Sequence, residues 1–129
     1  MILYRPGASI LVISDEPDLG GLIALNLRLR GFLVEQTDLV LAQSARWAPA
    51  LGRPSLIILH LDAADRVSLG QIRRLAERSW AANVPFLLAA DKATAIAALL
   101  QIPATAVLQH PSDVGGIVAK ARSLLGVQS

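Results

Sequence analysis

The residues in this chain with chemistry to offer are few. Ser14, Asp15 and Glu16 follow the apolar run 10–13. His60 follows the run 56–59, with Asp62 two residues further on, and His110 stands before Pro111 after a last short run. Histidine titrates near neutrality, so it serves as a proton carrier, a metal ligand or a pH-sensitive contact. Two imidazoles and a carboxylate make a donor set for a transition metal when outer groups hold them in tight geometry. The same three residues equally make a His–carboxylate hydrogen-bond pair with no metal. There is no cysteine, which excludes a disulfide framework, a thiolate zinc site and a cysteine nucleophile. Gly20-Gly21 and Gly115-Gly116 fit neither a dinucleotide fingerprint nor a P-loop,. No Ser/His/Asp triad has its supporting context.

These residues act together only if the fold brings them together. Residues 9–13 and 56–59 are continuous apolar runs, as strands buried on both faces should be,. Residues 32–36, 84–88 and 104–108 read as three more strands. Between them lie helical patterns. Leu19, Leu22, Ile23, Asn26 and Leu29 recur at helical spacing after Pro17,. Gly20 and Gly21 weaken that helix by about 1 kcal/mol each relative to alanine. Further helices are expected over 39–51, after the polar loop 62–66 with Leu69, Ile72 and Leu75, over 92–100, and over 114–125,. Five strands alternating with five helices imply a doubly wound parallel sheet, covered on both faces, in a flavodoxin-like α/β fold with strand order 2-1-3-4-5. Sites in such sheets lie beyond the carboxyl ends of the strands, which here means 14–18, 60–65, 89–91 and 109–112.

The 129 residues suit one domain, expected over 8–126, with flexible ends at 1–7 and 127–129,. Hydrophobic residues make up 53% of the chain and charged ones 17%, enough apolar side chain to build a core. No apolar run reaches the roughly 18–20 residues of a spanning helix, and no signal-peptide pattern opens the chain. A cytoplasmic protein is expected. Ten of the twelve basic residues are arginine, yet the net charge is only +2, which argues against nucleic acid as a partner of this domain alone. Arg28, Arg30, Arg73, Arg74 and Arg78 read as solvated helix faces. Trp47 and Trp80 read as packing residues.

The stretch 10–19, with its Ser14-Asp15-Glu16-Pro17-Asp18 opening, resembles the start of a two-component response regulator receiver domain. The run at 55–60, the Val84-Pro85 strand and the His110-Pro111 pair fall where that family's pattern has them, so the resemblance spans nearly the whole chain. The family carries two acids after the first strand; this chain has Ser14 and Asp15. The position of the phospho-accepting aspartate is His60. The switch Thr or Ser is Ala90, or Ala89 if the register slips by one, and the lysine before the proline is His110. The aromatic partner in the fifth strand falls at Val107. An acyl phosphate needs a carboxylate nucleophile and a divalent cation held largely by carboxylates. The resemblance therefore implies a degenerate, pseudo-receiver signalling module that binds proteins without aspartyl phosphorylation. It is not an enzyme and needs no cofactor. The alternative is a phosphate- or metal-responsive site built from Asp15, His60, His110 and Asp62, the last either swinging back as a second carboxylate or standing as an exposed loop acid.

Residues 93–112 contain no Asp, Glu, Lys or Arg. A helix over 93–100 is apolar nearly all round, where an outer helix should show a polar face. Adjacent Leu99 and Leu100 do not share a face, so an exposed apolar patch is expected. Receiver domains commonly pair through their last two helices and last strand. The resemblance thus implies an interface at Ile96, Leu99, Leu100 and Val107, with another signalling protein or a second copy of the chain over the 93–125 face.

Overall fold

In the computed structural model, residues 8–61, 69–91, 96–97, 105–109 and 113–126 are described. Their elements run β1 (Ser9–Ser14), α1 (Pro17–Leu29), β2 (Leu33–Thr37), α2 (Leu39–Ala42), β3 (Leu56–Leu61), α3 (Leu69–Ala76), β4 (Phe86–Ala90), β5 (Thr105–Gln109) and α4 (Val114–Leu124). A 3-10 turn, Ser79–Ala81, precedes β4. The five strands form one parallel sheet in the order β2-β1-β3-β4-β5, the order expected from the strand–helix alternation.

Burial follows from that order. β1 and β3 are interior strands, and all their residues are buried. Successive side chains alternate between faces, so the sheet divides the core in two. Ile10, Val12, Ile58, Leu87 and Ala89 pack with Ile23, Ala24 and Leu27 of α1 and Ile117, Val118 and Ala121 of α4. Leu11, Ile13, Ile57, Leu59 and Leu88 pack on the other face with Leu39, Ala42, Ile72 and Leu75 from α2 and α3. Trp47 and Trp80 lie against this second cluster, as packing residues. Their rings meet edge to face, with centroids 5.4 Å apart and planes at 75°.

Two helices differ from expectation. The buried face of α1 is Gly20, Ile23, Ala24 and Leu27, whereas Leu22 and Leu29 of the expected stripe are exposed. The helix carries leucine on several sides, so spacing alone allowed the wrong face. α2 is four residues long, not thirteen. Asp38 caps its start by accepting from the Leu41 N–H, but the chain leaves the helix by Ser44, whose hydroxyl accepts from Arg46 N. The Glu35 carboxylate then accepts from the backbone N–H groups of Ala50 and Leu51. Those amides would otherwise have made helical bonds, and Pro49 just before them has no N–H to give.

Of the helix expected over 92–100, Ile96 and Ala97 are described, and both are helical. Among the described residues no helix is long and apolar enough to cross a membrane.

Candidate functional site

β1 and β3 are hydrogen-bonded neighbours, and their register sets Ser14 opposite His60. Both are buried, at 3% and 5% exposure. Ser14 Oγ lies 2.9 Å from His60 Nδ1. The same hydroxyl donates to the Glu16 carbonyl at 2.9 Å and accepts from the Glu16 N–H at 3.0 Å. A backbone bond from Asp15 N to the His60 carbonyl, 3.2 Å, ties the two strand ends once more.

A serine hydroxyl has one hydrogen to give, and a carbonyl oxygen only accepts. The sense of the bond between Ser14 Oγ and His60 Nδ1 follows the imidazole tautomer: an Nδ1–H donates to the hydroxyl, and a bare Nδ1 accepts from it,. At Nδ1 of His60 the partner is the Ser14 hydroxyl. The signal was present in the position of Ser14 at the strand end, but its reach depends on register, which spacing does not give.

Helix α1 closes over this end of the sheet. Glu16 is its N-cap and accepts from the Asp18 N–H, and Gln36 from β2 donates to the Pro17 carbonyl at 3.2 Å. Gly20 sits so close that an added Cβ would stand 2.9 Å from Ser14 Cβ and 3.0 Å from Gln36 Nε2. The glycine that weakens the helix as a propensity is what lets α1 seat against the site.

On the other side of His60, β4 presents Ala89 in register, buried and small. Ala90 pairs with Leu61 and packs into the opposite core cluster. The neighbour of His60 is thus Ala89 rather than Ala90, and neither alanine has a hydroxyl to offer. Asp15 is half-buried beside the pair. His110 and Asp62 lie outside the described residues, so the convergence expected of Asp15, His60 and His110 is described only for Asp15 and His60. Among the described residues no three His, Cys, Asp or Glu side chains are grouped to hold a metal ion.

Of the expected interface, Ile96 belongs to the core cluster on the α3 side. Val107 is half-buried against the same cluster. Leu99 and Leu100 lie outside the described residues.

The sequence matches no protein-family model and no curated protein. Solved structures do match in shape. The chemotaxis protein CheY4 of Vibrio cholerae superposes with a TM-score of 0.64 at 18% identity, over 92% of this chain and 98% of that one. The non-phosphorylated HemR receiver domain of Leptospira biflexa gives 0.69 at 16% identity, over 95% and 97%. A CheY-like response regulator of Mesorhizobium loti gives 0.66 at 22% identity, over 91% and 98%. The shared five-stranded order and these superpositions agree: the chain has the fold of the response regulator receiver domains.

Proposed function

We propose that this chain is a receiver-like signalling module that binds another protein and works without aspartyl phosphorylation. The observation that carries the reading is His60: an imidazole, buried and bonded through Nδ1 to Ser14, stands one residue before the end of β3, at the position for which the resemblance calls for the acceptor aspartate. Acyl phosphate chemistry starts from a carboxylate oxygen attacking phosphorus, with a cation neutralising the phosphoryl charge. A ring nitrogen already held by a buried hydroxyl does not replace that oxygen, and the alanines of β4 do not replace the hydroxyl that would bind the product. The Ser14–His60 bond and the seating of α1 instead hold this end of the sheet in one arrangement, which suits a surface that is read rather than switched by phosphate.

The test is incubation with a small phosphodonor and Mg²⁺, followed by intact mass under neutral conditions. The mass is expected to stay unchanged. Stoichiometric gain of one phosphoryl group overturns the reading. Its stability in acid then separates the sites, because phosphohistidine is acid-labile.

A further inference from the structure

Helix α1 is built inside out. Its buried residues are Gly20, Ile23, Ala24 and Leu27, of which only Ile23 and Leu27 are large. On the side turned away from the sheet stand Leu22, Leu25 and Leu29, at 47%, 49% and 74% exposure. At 100° per residue these three and Asp18 fall within one sector, opposite the buried set. A surface helix normally puts its polar side chains there. Three aligned leucines in water form an apolar stripe, and such stripes mark contact surfaces.

The charges say what covers it. Asp18 lies in the first turn of α1, Arg28 in the last, and Arg30 at the C-cap. The stripe therefore begins acidic and ends basic. We infer that α1 is a self-association surface, on which a second copy of the chain packs its own α1 in the antiparallel sense. A two-fold axis between Leu22 and Leu25 sets Leu22 of one copy on Leu25 of the other, both ways round. It also brings Asp18 to Leu29 of the second copy, with Arg28 and Arg30 on either side of that leucine. Such an interface is isologous: one patch, used twice, complementary to itself. The helix dipoles then run opposite, and each acid meets the basic end of the other helix. A parallel pair would set like charges together. A helix of thirteen residues is about 20 Å long, so the contact falls short of the ~800 Å² per partner of a stable complex. The dimer is accordingly weak and concentration-dependent. It goes beyond the reading of the Ser14–His60 site and does not rest on it.

Sedimentation of the intact chain over a dilution series tests this. A reversible monomer–dimer equilibrium is expected. Leu25→Glu sets two carboxylates against each other at the axis and is expected to abolish the dimer with the thermal melt unchanged. A charge exchange provides the second measurement. Asp18→Arg alone and Arg30→Asp alone are each expected to be monomeric. Mixed, they pair arginine with aspartate at both ends, and a heterodimer is expected to return. Three results overturn the proposal: a monomer at every concentration, a mixture that does not associate, or a dimer lost in Leu99→Glu but kept in Leu25→Glu. The last would put the contact on the 93–100 segment instead.

Discussion

Ser14 Oγ and His60 Nδ1 meet at 2.9 Å across the last register pair between β1 and β3. Each of these buried groups answers a need of the other. Imidazole nitrogen and hydroxyl give each other a hydrogen-bond partner inside the fold. Ser14→Ala leaves Nδ1 facing a methyl group. A buried polar group without a partner costs about 1–3 kcal/mol. Loss of that order is expected in urea unfolding, with the far-UV circular dichroism of the folded state unchanged. A Ser14→Ala chain as stable as the parent would mean that the pair holds nothing.

The two glycines of α1 are expected to respond with opposite signs. Gly21→Ala meets only Gln36 Oε1 at 3.8 Å, an ordinary contact. It should stabilise by roughly 0.5–1 kcal/mol, the propensity difference between the residues. Gly20→Ala gains the same propensity but drives a methyl against Ser14 Cβ at 2.9 Å. Overpacking of this kind costs about 1–3 kcal/mol, so the net effect should be destabilising. Denaturant midpoints of the two variants decide it, and equal signs would contradict the close seating of α1.

The two tryptophans give a third measurement. Trp80 Nε1 is buried and has no hydrogen-bond partner among the described residues, while its ring packs edge to face with Trp47. Aromatic pairs of this geometry contribute about 0.5–1.5 kcal/mol beyond their buried area. A double-mutant cycle with Trp47→Leu and Trp80→Leu should return a coupling of that size. Additive losses, within about 0.3–0.5 kcal/mol, would show two independent packing residues.

The sheet was legible in the sequence because interior parallel strands are apolar on both faces. Runs such as 10–13 and 56–59 have no polar alternation to confuse them, and Asp15 and His60 fall at the strand ends where the alternation of elements puts them. The orientation of α1 was not legible. Leu19, Leu22, Leu25, Leu27 and Leu29 supply apolar residues to more than one side of the helix, and Gly20 and Ala24 do not advertise a buried face. The face is chosen by fit: Gly20 and Ala24 let the helix lie close beside Ile23 and Leu27, and Leu22, Leu25 and Leu29 are left outside. The path of the chain after α2 was hidden for another reason. Glu35 holds the amide of Ala50, fifteen residues further on, and no local pattern carries that.

The contact between Gly20 and Ser14 also bears on how this sequence can vary over generations. With any residue but glycine at the strand end, a Cβ at position 20 has no room unless α1 stands farther from the sheet,. A chain that changes one of the two positions must compensate at the other or reseat the whole helix. Positions 14 and 20 are therefore not free to drift independently, although six residues and a change of secondary structure separate them.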